Sequence, residues 1–521
     1  MTLLVASLAV EDLQELEVRA TRAWEVGADA VELRIDAYDG SPEALASWLA
    51  ARADRTWIVT CRSAAEGGHH VGDASDRAAR LLAAVHGVDA CVDVELADWQ
   101  RLPEFARAFG ATKTEGPGVA RRVILSSHKP ADPAVALRVL TDEATADGVL
   151  AAKLAYPVDQ IADTFQALDT MHESGASMVA IAMGEDGAWT RVLARKLGAF
   201  ASYCALDAAS ATAPGQFTLE EMVHRYRWRA MDASTRVFGV IGDPVAHSMS
   251  PLLFNQWFAD AGINAVYLPL RVRADGDAAG ALRRFLDGCR DRPWLDVGGF
   301  SVTLPHKTSV GTWLGDRVDH MARGIGAVNT VSFRGHKTQG FNTDCYAALS
   351  SLTAALECKR DDLLGLSVDV LGTGGMARAL VYGLPMFGCD VTVYGRSAEA
   401  TRHLADLFGV RPAAWEDRTR GSGEVLINAT SVGLWPDDKH SPMLPESLSR
   451  RRLVFDVIYN PLETWLLRDA REAGAATLGG LDMFVRQAAV QFALWTGRSP
   501  DLTAGRNLIS RCIEQRGGSC L

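Results

Sequence analysis

The sequence predicts an α/β protein: a (β/α)8 barrel followed by a second, two-lobed α/β half. Three observations carry that prediction. Short β-rich runs alternate with amphipathic segments across residues 1–225. A new strand-and-turn pattern starts at residue 237, and near residue 370 a strand runs into a glycine turn that opens a helix. The chain has 521 residues, too many for one core, and at ~100–200 residues per domain it divides into about three.

Composition narrows the class. The chain is 48% apolar and 22% charged, with mean hydropathy +0.02 and net charge −11. The negative balance disfavours a nucleic-acid surface, although local arginines can still meet small anions. No apolar run approaches the ~18 residues of a membrane span. The opening Met-Thr-Leu-Leu-Val-Ala-Ser-Leu lacks a basic leader and reads as a first strand. Nine cysteines show no Cys-x-x-Cys spacing, and Cys61, Cys91 and Cys204 fall in apolar runs, which favours reduced thiols and a cytoplasmic location. The histidines have no metal-ligand spacing, so no metal is expected, and His69-His70 reads as a solvated loop tip. Oligomeric state is not legible.

The barrel strands are expected at 3–8, 30–36, 57–62, 90–96, 123–128, 149–155, 178–184 and 200–206, with helices at 12–26, 76–86 and 158–174. An open doubly wound sheet is the alternative, but no phosphate-type glycine fingerprint occurs in this half. A barrel carries its chemistry at the C-terminal strand ends. There stand Glu32, Arg34 and Asp36, then Arg62 with Glu66-Gly67-Gly68, then Asp93 and Glu95, His128, Lys153, Arg191 and the run 212–216. Any one could be a surface charge or a lining salt bridge; so many at equivalent positions argue for a site.

Lys153 interrupts an otherwise apolar strand on the face of Val149, Ala151 and Ala155. Desolvation there favours a neutral amine, a nucleophile toward a carbonyl, and His128 could serve as its proton shuttle. A buried ion pair with Glu32 or Glu95 is the bland reading. The motifs Glu32-Leu-Arg34, Thr60-Cys-Arg62 with Glu66-Gly67-Gly68, Asp93-Val-Glu95, Ser127-His128, Lys153 and Ala213-Pro-Gly-Gln216 resemble type I 3-dehydroquinate dehydratase. The resemblance implies an imine between Lys153 and the substrate ketone, with His128 as acid and base and Glu66 holding His128. It implies Glu32, Arg34 and Arg62 on the ring hydroxyls and Arg191 and Gln216 on the carboxylate. Thr212 stands where serine is usual, and the loop 66–70 would be a mobile lid.

Residues 226–236 read as a polar, charged hinge. Beyond it, 237–241 is an apolar strand stopped by Gly242-Asp243-Pro244. Ser248 and Ser250 follow, two apart, and in an extended segment would face one side; an ordinary serine cap on the next helix is the alternative. A strand then ends in Ser301-Val-Thr303-Leu-Pro-His-Lys307 and turns into a helix whose first turn disfavours a lysine charge. Gly326-Ala-Val-Asn329-Thr330 and Asn342-Thr-Asp344 lie near further strands.

In Leu371-Gly372-Thr-Gly374-Gly375-Met376-Ala377 the strand–turn–helix context makes a credible pyrophosphate cradle of Rossmann type. The next strand ends in Gly395-Arg396-Ser397 rather than an acid, which prefers NADP(H) over NAD through a 2′-phosphate. Later come Asn428-Ala-Thr430, Tyr459-Asn-Pro461, Gly480-Leu-Asp-Met483, and Gln487 with Gln491 one helical turn apart.

These stretches resemble shikimate dehydrogenase across residues 237–521. The resemblance implies a catalytic pair of Lys307 and Asp344, and Ser248 and Ser250 on the substrate carboxylate. Thr303, Asn329 and Gln487 would hold ring oxygens, with Tyr459 and Gln491 close by, and Thr430 and Met483 join the cofactor set. Gly395 departs from the usual Asn. The expected domains are a barrel at 1–225, a substrate domain at 237–345 with 476–521, and an NADP domain at 346–475. The two families act in sequence on 3-dehydroquinate, 3-dehydroshikimate and shikimate, which implies a bifunctional enzyme. A quinate-type dehydrogenase, or a barrel kept only as a scaffold, are the rival readings.

Overall fold

A computed structural model describes residues 2–102, 122–145, 148–174, 178–211, 215–335 and 337–515. Contacts divide the chain into two units, residues 1–235 with 264–273, and residues 236–263 with 274–521.

The first unit carries β1 (Leu3–Ala9), β2 (Ala30–Arg34), β3 (Trp57–Thr60), β4 (Cys91–Glu95), β5 (Arg122–His128), β6 (Val149–Pro157), β7 (Met178–Met183) and β8 (Ala201–Ala205). Neighbours in sequence are neighbours in the sheet, every described pairing is parallel, and β8 lies against β1. Phe200 N donates to Met178 O at 3.0 Å across the β7–β8 seam, so the order is that of the expected barrel. The strands are rich in small and aliphatic residues, and Val5, Ala30, Ile58, Ile124, Val179 and Ala201 form one interior cluster. The helices start where polar side chains accept free amides: Asp12 for Leu13–Val26, Ser41 for Pro42–Ala50 and Asp73 for Ala74–Ala84.

Residues 226–236 are not the expected polar hinge. Tyr226, Trp228, Met231 and Thr235 are buried. The charges there sit at the surface, with Arg229 reaching Asp29 at 3.1 Å, while the aromatic residues between them fill the unit's interior.

The second unit opens with β9 (Arg236–Gly242). The following strand, β10 (Ala265–Arg271), groups with the first unit, where Arg273 Nε donates to Asp186 Oδ2 at 2.7 Å. Next come β11 (Val297–Val302), β12 (Thr330–Arg334) and β13 (Lys337–Phe341). β11 runs parallel to β9, and β12 and β13 continue antiparallel.

The nucleotide-type lobe is a parallel sheet of β14 (Ser367–Leu371), β15 (Asp390–Gly395), β16 (Arg411–Ala414), β17 (Val425–Asn428), β18 (Leu453–Asp456) and β19 (Ala476–Leu478). Its order, β16-β15-β14-β17-β18-β19, reverses direction between β14 and β17, the topological switch point where doubly wound sheets bind ligands. The helix Gly480–Thr496 returns to the first lobe of this unit: Trp495 Nε1 donates to Val331 O at 3.1 Å.

Two candidate active sites

The first site lies at the strand ends of the barrel. Parallel register sets Lys153 beside Ser126 and His128 beside Ala155. Lys153 Nζ is 3.0 Å from Asp93 Oδ2 and 3.5 Å from Glu32 Oε1, all three groups buried. The amine therefore sits in ion pairs, with Glu32, one of the two partners expected of a buried pair, and with Asp93 in place of Glu95. His128 Nδ1 lies 3.0 Å from Glu66 Oε2, which also accepts the His128 backbone amide at 3.1 Å. Burial, with the charges of Arg62 and Lys153, lowers the His128 pKa well below 6.5 and keeps the ring neutral, the form a base requires. Burial pushes Glu66 up to about 8; Arg62 opposes that shift, and Glu95 and Asp93 add to it.

Arg62, expected on the substrate hydroxyls, is surrounded by protein groups. Its guanidinium is consumed by Asp93 (2.6 Å), Ser126 Oγ (2.9 Å), Glu66 (3.2 Å) and Glu95 (3.4 Å), making it the hub of a buried carboxylate cluster. Glu32 is likewise spent internally, on Ser7 Oγ at 2.6 Å, Thr60 Oγ1 at 2.9 Å and Lys153. Burial raises the Glu32 pKa, but Lys153 and Arg34 outweigh it and the net shift is down. Arg34 is half-buried and held flat by both oxygens of Asp36 at 2.8 and 2.9 Å.

Arg191 is fully buried and has no ion pair to a described carboxylate, and its Nε has no hydrogen-bond partner among the described residues. Burial lowers its pKa to about 10. A desolvated guanidinium of this kind has room for a carboxylate partner. Gln216 is half-buried, and Thr212 lies outside the described residues.

The loop 66–70 makes polar contacts with its surroundings. His69 N donates to Asp36 Oδ2 at 3.0 Å, and His70 Nε2 is 3.0 Å from Asp76 Oδ2, so His70 is no solvated tip. A Cβ on Gly68 would collide with the Arg62 carbonyl, so that glycine serves a close backbone approach. Asp93 and Asp36 receive no role from sequence alone. The period-two pattern Asp93-Val-Glu95 on an apolar strand is the available signal, since it puts both carboxylates on one face.

The second site lies in the second unit. Lys307, at the start of the helix Lys307–Leu314, reaches Asp344 Oδ2 at 2.5 Å. Asn329 Nδ2 donates to Asp344 Oδ1 at 2.7 Å and to Thr343 Oγ1 at 2.9 Å, while its oxygen accepts from Thr330 Oγ1 and Thr343 N. Both amide hydrogens and the oxygen of Asn329 are thus engaged within the protein, where they hold Asp344 of the Lys307–Asp344 pair. Gln491, also buried, donates to Asn329 O and Thr330 Oγ1 and accepts from Ser301 Oγ. It braces β11 against β12.

Gln487 and Thr303 are half-buried near this pair; the Gln487 carbonyl accepts from Thr343 Oγ1 at 3.3 Å. Ser248 and Ser250 do not lie on an extended segment. The chain turns there, Ser248 Oγ accepts Ser250 N at 3.2 Å, and Ser250 begins the helix Ser250–Asp260. The hydroxyl of Tyr459, whose ring stacks on Phe484, accepts Met249 N at 3.5 Å and borders the same turn.

The glycine turn joins this site. Gly372 has φ 113°, which L side chains rarely adopt, and Gly374 caps the helix Gly375–Gly383 with open space where a Cβ would stand. A Cβ on Gly375 would lie 2.9 Å from Lys307 Cδ, so the turn abuts the lysine stem. Arg396 is exposed and has no charged partner among the described residues; Ser397 caps the helix Ala398–Phe408. Thr430 is held by Asn428, which is tied in turn to buried Asp456 at 3.0 Å. Ala377 and Met483 belong to the hydrophobic core: their side chains face inward, because Ala377 fills the helix–sheet seam and Met483 the underside of its helix. Met376 packs partly on the same core. No cluster of three or more His, Cys, Asp or Glu side chains placed to hold a metal occurs among the described residues.

A parallel barrel with a buried, ion-paired lysine and a neutral histidine, joined to a switch-point glycine turn beside a lysine–aspartate pair, defines a two-site enzyme: a lyase and a nicotinamide-type oxidoreductase in one chain. The family model for type I 3-dehydroquinase matches residues 4–233, that for the shikimate dehydrogenase substrate binding domain residues 240–331, and that for the shikimate 5′-dehydrogenase C-terminal domain residues 480–509. The chloroplastic bifunctional 3-dehydroquinate dehydratase/shikimate dehydrogenase of Arabidopsis thaliana is 33% identical over 95% of this chain and 82% of its own. The chain belongs to the bifunctional 3-dehydroquinate dehydratase/shikimate dehydrogenase family. Its second half is 40% identical to the shikimate dehydrogenase (NADP(+)) of Oleidesulfovibrio alaskensis, over 53% of this chain and 96% of that one. A crystal structure of the Thermus thermophilus shikimate 5-dehydrogenase with NADP(H) and shikimate is 34% identical over 52% of this chain and 98% of that one, TM-score 0.46.

Proposed function

We propose that the chain runs two consecutive reactions. The barrel dehydrates 3-dehydroquinate to 3-dehydroshikimate, and the second unit reduces that ketone to shikimate with NADPH. In the barrel, Lys153 condenses with the substrate ketone, releasing water and leaving an iminium that acidifies the adjacent C–H. His128, held by Glu66, takes that proton and returns it to the departing hydroxyl. Arg191 and Gln216 receive the carboxylate, and Arg34 meets the ring hydroxyls, while Glu32 holds Lys153 and Arg62 holds Glu66 behind it.

In the second unit Ser248 and Ser250 bind the carboxylate, with Thr303, Tyr459 and Gln487 around the ring. Lys307 donates a proton to the carbonyl oxygen as hydride arrives, and Asp344 orients it. The bound NADPH supplies that hydride. Gly372, Gly374, Gly375 and the amides of Met376 and Ala377 suit a pyrophosphate, Arg396 and Ser397 a 2′-phosphate, and Thr430 the nicotinamide side. The domains are then a barrel at 1–225 completed by the buried segment up to 235, a substrate domain at 237–345 with 476–521, and a nucleotide domain at 346–475. Eight described free cysteines fit a reducing, cytoplasmic setting. No described helix is long and apolar enough to cross a membrane.

The contact of the Lys307 stem with the Gly375 turn carries the reductase reading, because it sets acid and cofactor cradle side by side. A coupled assay tests the whole: 3-dehydroquinate with NADPH should consume nicotinamide absorbance, and Lys153→Ala should stop it while reduction of added 3-dehydroshikimate continues. Loss of both activities in that variant would overturn the two-site reading.

A further inference from the structure

Tyr203 has no place in the mechanism above, yet it lies against the group on which the mechanism turns. It projects from β8 into the barrel interior, 3% exposed, and Lys153 Nζ stands 3.9 Å from the centre of its ring. Its hydroxyl is buried with no hydrogen-bond partner among the described residues. A tyrosine is ordinarily buried only where its hydroxyl is satisfied. The hydroxyl is thus tolerated here, and what the position uses is the ring.

The face of an aromatic ring is the negative pole of its quadrupole and attracts a cation most strongly where water is excluded. Lys153 is such a cation on either side of imine formation. In the condensation of its ammonium with the ketone, a carbon–nitrogen double bond replaces the carbon–oxygen one. The carbonyl oxygen leaves as water with two of the three ammonium protons, and the third stays on the iminium. The positive charge therefore passes from ammonium to iminium at the same nitrogen. That nitrogen keeps Asp93 at 3.0 Å on one side and the Tyr203 ring on another. The carboxylate can also draw a proton from the nitrogen and discharge it; the ring cannot.

We infer that the Tyr203 ring face is a positioning and charge-holding element for the Lys153 iminium, forming a cage with Asp93 and sustaining the electron-withdrawing state in which the neighbouring C–H is acidic. The inference rests on the proposed Schiff-base chemistry and extends it to a residue outside the acid–base set. Because the ring acts through Lys153, its loss appears in turnover rather than in substrate binding.

The test replaces residue 203 in the full chain by Phe, by Leu, and by phenylalanines of increasing ring fluorination, which drain the face while nearly preserving shape. Dehydratase kcat and KM and the yield of the borohydride-trapped Lys153 adduct with 3-dehydroquinate are measured for each. Tyr203→Phe should restore the turnover that Tyr203→Leu loses, a loss of about tenfold or more in kcat with little change in KM. Across the fluorinated series kcat and trapped adduct should fall step by step. A flat fluorination series, or a loss confined to KM, overturns the inference. If Tyr203→Leu does not fold, the isosteric series still decides. Failure of the parent chain to give any Lys153 adduct would instead sink the Schiff-base reading itself.

Discussion

Asn329 and Asp344 are locked together: one amide hydrogen of Asn329 meets Asp344 Oδ1 at 2.7 Å, which leaves Oδ2 to Lys307 at 2.5 Å. The carboxylate is thereby fixed between a neutral donor and a charged one. Asn329→Ala removes the neutral donor and leaves a buried acceptor short of a partner, a cost of about 1–3 kcal/mol. Expressed in the transition state, that is about 5–150-fold in kcat for 3-dehydroshikimate reduction. Steady-state kinetics should show the loss mainly in kcat, with dehydratase turnover intact as the control.

The Gly375 turn makes a second, steric prediction. A methyl at 375 would sit 2.9 Å from Lys307 Cδ, in mid-stem rather than at a free tip. Gly375→Ala should displace Lys307 from Asp344 and lower the reductase rate by roughly tenfold by misplacing the acid. The barrel reaction should be untouched, and parent-like reduction in this variant would count against Lys307 as the acid.

At residue 395, where the family usually has asparagine, a Cβ would collide with Thr401 Oγ1 and come within 2.6 Å of Thr373 Cγ2. Those threonines occupy the room a larger side chain needs. Gly395→Asn should lower the Tm of the second unit and weaken NADPH binding rather than improve it. Calorimetry and a cofactor titration check both.

The pH dependence of dehydration follows from His128. Its folded pKa is depressed, so it remains an unprotonated base below pH 6.5, where a free histidine would be charged. The acid limb of kcat/KM should therefore fall below pH 6.5. The sign for stability agrees: as pH falls through 6.5 the unfolded chain takes up a proton that the folded chain refuses, so stability drops in that window.

Asp456 behaves oppositely. Burial pushes it up to about 7, against the hydrogen bonds of Thr464, Ile458 N and Asn428. Between its ordinary value of 3.8 and about 7 the folded state holds the extra proton, so its contribution is full at low pH and is lost as pH rises through 7. Asp456→Asn should flatten that part of the Tm-versus-pH curve, readable by thermal melts from about pH 5 to 8.

Short β-rich runs alternating with amphipathic segments were enough to place the barrel strands, and Lys153 stands out because the run around it is otherwise apolar. The glycine turn was legible for a similar reason: strand, turn and helix follow in order, and Gly372 needs a left-handed backbone. The carboxylate network was not legible. Nothing along the chain says that Arg62 spends its guanidinium on Glu66, Asp93 and Glu95, or that Asn329 and Gln491 are consumed internally.

So the sequence by itself determined which chemical groups the protein owns and on which strand ends they stand. The tertiary structure decided which of them remain free to meet a substrate. Arg62 and Arg191 look alike in the sequence, each an arginine at or beyond a strand end. One is saturated by three carboxylates and the other has no described counter-ion. That difference arises because a buried charge takes whatever partner the fold brings within ~3 Å, and only long-range packing sets that distance.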